Sequence, residues 1–326
     1  MKRNDLSVNP IKSAYVKERG MNKIIIVTRK TRLTELVNKY NTLEQAKFYI
    51  EHLGADFSDY ILEDENYRKA VAAVKSIAEK YARIQEVDRT FFPNMILGRD
   101  DIIIAVGQDG LVANVMKYLK GHPLIGVNPD IKRWDGVLLP FEPGDLTGIL
   151  PAVIRGNYQG KAVTIARAST KDGQEMLAVN DLFIGQRTHT SAQYHICWNR
   201  QEENQSSSGI IVSTGLGATG WYKSIMTEAM RIAEILGWGG ISCADKPVGW
   251  SDDNLTFVVR EPYKSRSTQA DIVYGKLGKE DTLRIVSKMA VNGVLFSDGM
   301  ESDAIEFNAG SEIEIGIADK KGNLVV

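Results

Sequence analysis

Two glycine-bracketed segments and one Asn-Asp pair hold the residue types in this chain that could do chemistry. The first segment is Gly107-Gln108-Asp109-Gly110. It sits between an apolar run, Asp101–Val106 (DIIIAV), and a helix-forming run that begins at Leu111. At the carboxyl end of a parallel strand, the first amides of the next helix face outward and the helix dipole favours an anion. Gly107 and Gly110 keep a Cβ out of the way of a bound phosphate. Asp109 then brings a carboxylate beside that phosphate. Like charges make it a poor phosphate ligand. It suits a group that orients and deprotonates an attacking hydroxyl, or that holds Mg²⁺. Phosphoryl transfer rests on positioning and charge stabilisation, and a positioned base adds about 100- to 10,000-fold in rate. The same tetrapeptide also reads as a plain strand-to-helix turn.

The second segment follows the apolar run Gly209–Thr214 (GIIVST). It reads Gly215-Leu216-Gly217-Ala218-Thr219-Gly220 and leads into a helix. Formally this is the GxGxxG pattern of dinucleotide-binding folds. Those folds need a strand ending in an acidic residue about 20 residues on. Here position 234 falls inside the helix, and the next strand, LTFVV, ends beside Glu261. The hydride-transfer reading is therefore set aside. A bed for a nucleotide remains, made by the glycines and Thr219 at a helix start. Between the segments, Asn180-Asp181 offers an amide and a carboxylate suited to a vicinal diol, or else a strand-end turn. Trp221 can stack on a base or pack in the core. Lys132, Arg133, Lys223, Arg260, Lys264 and Arg266 are basic candidates that read equally as solvated charges.

These groups need elements to hold them. Lys23–Thr28, Ile84–Val87, Asp101–Val106 and Pro123–Asn128 read as strands. They alternate with helices over about residues 42–53, 63–83 and 111–120. That rhythm predicts a doubly wound α/β sheet. From residue 147 on, short alternating runs predict a β-rich sandwich or layer, with one helix over Thr219–Leu236 stopped by Gly237. Gln201–Ser208 (QEENQSSS) reads as an exposed loop. The expected division is residues 1–146 and 147–326. The chain has 326 residues, 43% apolar and 25% charged, with a net charge of −1. Such a balance gives no field for nucleic acid, and no apolar run is long enough to cross a membrane. Two cysteines, Cys197 and Cys243, indicate no disulfide framework and suit a reducing cytoplasm. The four histidines are scattered, so no zinc site and no metal-ligating side chain is expected. Residues 1–22 lack the apolar core of a signal peptide and read as an N-terminal arm.

Taken in order over roughly residues 100–310, these motifs resemble the NAD kinase family. GQDG stands where that family has GGDG. VNDLFIG (179–185) carries its Asn-acid pair, and SSGIIVSTGLGATGWYKS (207–224) its glycine-rich segment. IGVNPD (125–130) is similar to its Gly-Val-Asn stretch and contains Asn128. VREP (259–262), with Arg260, and EFN (306–308) are most similar to the mitochondrial branch. The resemblance implies an N-terminal α/β domain and a C-terminal β-rich domain. It implies ATP with Mg²⁺ as donor, NAD(H) as acceptor, and a homodimer or homotetramer. Asp109 would be the base at the 2′-hydroxyl of the adenosine ribose. Gly107, Gln108, Gly110, Asn128, Leu216 and Arg260 would bind nucleotide. Asn180 and Asp181 would meet ribose hydroxyls. Thr219, Gly220 and Trp221 would line the adenine pocket, with Ser224 behind them.

The sequence departs from the family at several points. Gln108 replaces a glycine, where positive φ would strain a side chain. Leu111 replaces a threonine, Thr-Gly-Trp replaces Thr-Ala-Tyr, and Ser208 stands where many members have aspartate. Three readings follow: an NAD(H) 2′-kinase, a kinase of the same fold acting on a sugar, nucleoside or lipid hydroxyl, and a dinucleotide-binding sensor without catalysis.

Overall fold

The computed structural model describes residues 23–238 and 248–326. Residues 1–22, read above as an arm, and Cys243 lie outside them. The chain forms two compact units, one ending at Lys161 and regaining Asn323–Val326, the other spanning Ala162–Gly322.

Unit 1 contains β1 (Lys23–Thr28), α1 (Arg32–Tyr40), α2 (Leu43–His52), α3 (Ser58–Ala78) and β2 (Arg83–Asp88). It continues with β3 (Ile102–Val106), α4 (Asp109–Met116), β4 (Leu124–Val127) and α5 (Leu146–Arg155). The strands pair in parallel in the order β2-β1-β3-β4. β1 and β3 are buried along most of their length because both faces of the sheet are covered. Ile24, Ile26, Ile102, Ile104 and Val106 pack with Tyr67, Val74 and Ala78 of α3 and Leu146, Leu150 and Val153 of α5. The connection after β1 runs one way and that after β3 the other. The strand order therefore reverses between β1 and β3, where open α/β sheets bind ligands.

Two helices were not foreseen. α1 starts at Thr31, whose Oγ1 accepts from the Thr34 amide at 3.2 Å. α5 is masked in the sequence by Gly148 and Pro151. Pro151 has no N–H for the carbonyl of Thr147, and the Tyr81 hydroxyl donates to that carbonyl instead at 3.1 Å. The change of rhythm near residue 147 thus falls on a helix of unit 1, before the first strand of unit 2.

Unit 2 begins with β5 (Gly160–Thr170), β6 (Glu175–Ala178), β7 (Asp181–Gln186), β8 (Ala192–Trp198), β9 (Gln201–Ser207) and β10 (Ile210–Ser213). Then come α6 (Trp221–Ile235), β11 (Leu255–Val259), β12 (Tyr274–Leu277), β13 (Leu283–Ser287), β14 (Gly293–Ser297), β15 (Met300–Glu306) and β16 (Glu312–Val325). One sheet runs β12-β11-β10-β7-β14-β15, all antiparallel. It packs through Leu182, Ile184, Val212, Phe257 and Leu295 on Tyr194, Ile196, Ile285 and Ile313 from β8, β13 and β16. The expected sandwich is present. The other face of the first sheet places Phe183, Ile211 and Val258 against Trp221, Tyr222 and Ile225 of α6.

The loop expected at residues 201–208 is instead strand β9, paired with β8. Its hairpin turn is Asn199-Arg200, with φ of 49° and 63°. Its inward face is polar but satisfied. Tyr194 Oη donates to Gln205 Oε1 at 2.9 Å and lies 2.7 Å from Ser207 Oγ. Glu203 accepts from the amides of Asp271 and Ile272, each at 3.0 Å. Composition hid the strand because its buried side chains are hydrogen-bonding ones.

Tyr67 ties the two strands that flank the crevice. Its hydroxyl accepts from the Arg29 amide at 2.8 Å and donates to the Val106 carbonyl at 3.0 Å. Burial pushes this phenol up to about 12. Tyr67→Phe would leave both backbone groups unpaired. It should lower unfolding free energy by about 1–3 kcal/mol in urea titrations. A neutral substitution would show that the bridge is dispensable.

Candidate active site

In unit 1 the Gly107–Gly110 segment begins α4 at the carboxyl end of β3. Gln108 is its N-cap residue, with φ −116° and ψ 164°, an extended conformation open to any residue. The strain expected of a side chain at this position is therefore absent. The amides of Asp109 and Gly110 open the helix and have no partner within it. The two glycines differ in purpose. A methyl group built at Gly107 would stand 2.9 Å from Leu111 Cδ2 and 3.6 Å from Arg29 Nε, so this glycine admits core packing rather than a phosphate. Gly110 has nothing within 4 Å of its Cβ position, which leaves room for a ligand. Leu111, where the family has threonine, is buried in the core.

Asp109 is half-buried. Its Oδ1 accepts from the Leu138 amide at 2.6 Å, while no bond from the described residues reaches Oδ2. Asn128 builds the loop that supplies this amide. Its Nδ2 donates to the Trp134 carbonyl at 3.0 Å, its Oδ1 accepts from the Asp130 amide at 3.0 Å, and its own amide donates to Phe141 at 2.7 Å. The Asn128 side chain thus braces the loop that presents the Leu138 amide to Asp109. Arg133, a basic candidate, is clamped on Asp59, and the two guanidinium groups of Arg133 and Arg32 hold that carboxyl well below the usual carboxylate range.

In unit 2 the tripeptide Val179–Asp181 lies between β6 and β7 and is pinned from two sides. Thr214, at the end of β10, donates from Oγ1 to the Val179 carbonyl at 2.6 Å and from its amide to the Asn180 carbonyl at 2.9 Å. The Gly217 amide returns to Thr214 Oγ1 at 3.2 Å. On the other side stands Asp298, in the turn between β14 and β15. Its carboxylate accepts from the amides of Asn180 at 2.7 Å and Val179 at 3.0 Å. Neither residue was singled out in the sequence. The Asp298-Gly299 pair between two apolar runs is a hairpin signal that could have drawn attention.

The glycine-rich turn is explained by close approach to the protein itself. A methyl group at Gly217 would stand 2.1 Å from the Asn180 carbonyl oxygen, and one at Gly215 would stand 2.0 Å from that of Gly249. Gly217 thus presses the turn onto the Asn180-Asp181 segment, and Gly215 presses it onto Gly249. Leu216 is buried, Thr219 donates to the Leu216 carbonyl at 3.3 Å, and Ser224 Oγ donates to the Gly220 carbonyl at 3.4 Å. Gly220 precedes α6 with open space at its Cβ position except for the Gly217 carbonyl at 3.5 Å. The Trp221 ring is stacked on Phe183 at 5.5 Å and lies 5.3 Å from the Arg260 guanidinium. Protein thus engages the Trp221 ring, which places both it and Arg260 beside the turn as packing partners. Lys223, Lys264 and Arg266 are exposed.

Asp181 is 8% exposed. No hydrogen bond from the described residues reaches its carboxyl. Burial, with the negative Asp298 beside it, pushes this carboxyl from the ordinary 3.8 up to about 7. Away from these segments, His195, Cys197 and Glu202 bring ligand-type atoms within 4.8 Å of one another on β8 and β9. The expected scatter of histidines did not anticipate that grouping. Arg284 donates to Cys197 Sγ at 3.1 Å, so a fixed positive charge already occupies its edge. Among the described residues, no helix is long and apolar enough to cross a membrane.

No protein-family model matches the chain. The chain is 29% identical over 135 residues to an NAD kinase of Cupriavidus pinatubonensis, covering 38% of this chain and 43% of that protein. It is 25% identical over 269 residues to the mitochondrial NAD kinase 2 of Homo sapiens, covering 65% of this chain and 60% of that one. The matches therefore span about half of each relative's length. Among solved structures, yeast NADH kinase complexed with NADH superposes with a TM-score of 0.57 at 14% identity, over 94% of this chain and 84% of that chain. The NAD kinase of Archaeoglobus fulgidus in complex with ATP gives 0.53 at 15% identity, over 93% of both chains. The fold is that of the NAD kinases, and the sequence resembles theirs.

The Asp181 carboxyl yields a pH prediction. Folding raises its proton affinity, so its contribution to stability is full below the unfolded value and is lost as pH climbs to about 7. Asp181→Asn cannot ionise. Urea titrations between about pH 4 and pH 7 should show the wild type losing stability relative to the variant. Parallel curves would mean that the carboxyl is not strained by its surroundings.

Proposed function

We propose that this relative of the NAD kinases transfers the γ-phosphoryl group of ATP to the 2′-hydroxyl of NAD⁺ or NADH. The bond between the β,γ-bridging oxygen and the γ-phosphorus breaks, a bond from the ribose oxygen to that phosphorus forms, and ADP leaves. The hydroxyl proton passes to Asp109. The observation that carries this reading is the half-satisfied Asp109 carboxylate. One oxygen is fixed by the Leu138 amide at 2.6 Å and the other is left for an acceptor, at the first turn of a helix beside the strand-order reversal.

Features of each unit have a share. The amides of Asp109 and Gly110 offer an anion bed, and the space above Gly110 lets a phosphate approach. Mg²⁺ bound with ATP would supply charge neutralisation on the phosphates. The phosphate oxygens would hold the ion, with Asp109 Oδ2 kept for the ribose hydroxyl. Asn180 and Asp181 recognise ribose hydroxyls, and the turn at residues 215–220 receives the adenine. The names of the sequence relatives, and the NADH and ATP bound in the two solved neighbours, support this donor and acceptor. The unstrained backbone at Gln108 favours a working phosphate loop over a degenerate sensor.

Protein incubated with ATP, Mg²⁺ and NAD⁺ should form NADP⁺, detected with an NADP-specific dehydrogenase. Asp109→Asn keeps an oxygen for the Leu138 amide but loses the base, and the rate should fall by about 100-fold or more. Gln108→Gly should bring no large gain, since the backbone there is already relaxed. ATP turnover with a different alcohol and none with NAD⁺ would refute the assignment.

A further inference from the structure

The proposed reaction gives tasks to the carboxyls of Asp109 and Asp181, and none to a third, better-bonded one, that of Asp298 in unit 2. Asp298 occupies a left-handed position, φ 53°, followed by Gly299 at φ 70°. Its Oδ1 lies 2.7 Å from the Asn180 amide, 3.0 Å from that of Val179 and 3.4 Å from that of Asp181, and its Oδ2 lies 3.1 Å from the Val179 amide. Its own amide donates to the Asp181 carbonyl at 3.0 Å. Consecutive amides curled round an anion form a concave nest that favours negative charge. Here the anion is part of the protein, and the nest is the segment that bears Asn180 and Asp181.

The neighbourhood makes the pairing unusual. Asp181 and Phe183 alternate onto the α6 face of their sheet, and β10 places Ser213 opposite Asp181. No cation pairs with Asp181 among the described residues of β7, β10, the 214–220 turn or the β14–β15 turn. Asp298 is the charged group that faces it. The Asp298 charge raises the cost of ionising Asp181, whereas an asparagine would fit the left-handed turn without that effect.

We propose that Asp298 is a positioning residue for ribose recognition. Its carboxylate, seated on the amides of residues 179–181, fixes the Asn180-Asp181 pair and sets a negative charge beside the Asp181 carboxyl. The charge of the pair stays on Asp298, which the amides solvate. The proton stays on Asp181, which has no such donors. Asp181 can then both donate to and accept from a ribose diol. This rests on the reading of Asn180-Asp181 as ribose ligands.

The test joins kinetics to carboxyl NMR of protein labelled with ¹³C at aspartate side chains, with Asp181 assigned by its loss in Asp181→Asn. In Asp298→Asn the KM for NAD⁺ should rise about tenfold while that for ATP holds. The Asp181 titration midpoint should move to lower pH, since the neighbouring charge is gone. Thr214→Val loosens the same segment from its other side without changing charge. It should raise the KM for NAD⁺ and leave the midpoint in place. An unmoved midpoint, or an unchanged KM for NAD⁺, in Asp298→Asn overturns the proposal. Should the wild type form no NADP⁺, the kinase reading fails on its own. Calorimetric NAD⁺ binding by wild type and Asp298→Asn, with the same midpoints, then decides the role of Asp298. Should Asp298→Asn not fold, the wild-type spectra decide it: Asp298 must remain anionic where Asp181 is protonated, and the reverse order contradicts the proposal.

Discussion

The chemistry proposed for this chain depends on how many hydrogen-bond donors each of three carboxylates is given. Asp298 is enclosed by backbone amides, Asp109 has one amide on one oxygen, and Asp181 has none among the described residues. A buried carboxylate that is solvated by amides is a fixed anion. One that is half solvated is held in direction yet keeps an oxygen for a substrate. One that is buried without donors resists ionisation. A fixed anion, a half-bonded carboxylate and a carboxyl that resists ionisation thus arise from a single side-chain type. The folded backbone makes the difference between them.

Backbone proximity is what makes those donors available. Gly126 lets the Leu138 carbonyl lie 2.0 Å from where a methyl group would be, and so brings the Leu138 amide to Asp109. Gly217 does the same for the Asn180 carbonyl, and Thr214 then locks the turn to the segment below it. At these positions glycine serves contact between two stretches of protein. At Gly110 and Gly220 the Cβ position is open, so each glycine-rich motif joins packing contacts, at Gly107 or at Gly215 and Gly217, to free space at its helix entry.

Much of this was legible in the sequence. Apolar runs such as KIIIVT, DIIIAV and GIIVST are buried strands because a covered sheet tolerates little else, and Asp109 is at the strand-to-helix junction where spacing put it. What stayed hidden depended on partners distant in the chain. β9 is polar, and only Tyr194, Asp271 and Ile272 explain its burial. α5 contains a proline whose lost bond is replaced by Tyr81, 70 residues earlier by numbering. Asn128 was read as a nucleotide ligand, and its bonds to Trp134 and Asp130 show that it also braces a loop. Asp298 was not singled out, and its carboxylate holds a segment more than 100 residues away.

The central claim is that the open oxygen of Asp109 faces the alcohol that is phosphorylated. A crystal structure of the Asp109→Asn protein with NAD⁺ and a non-hydrolysable ATP analogue addresses it directly. The account predicts the adenosine 2′-hydroxyl within about 2.6–3.2 Å of the free end of residue 109, in line with the γ-phosphorus. A ribose bound elsewhere, with residue 109 satisfied wholly by protein, would contradict it.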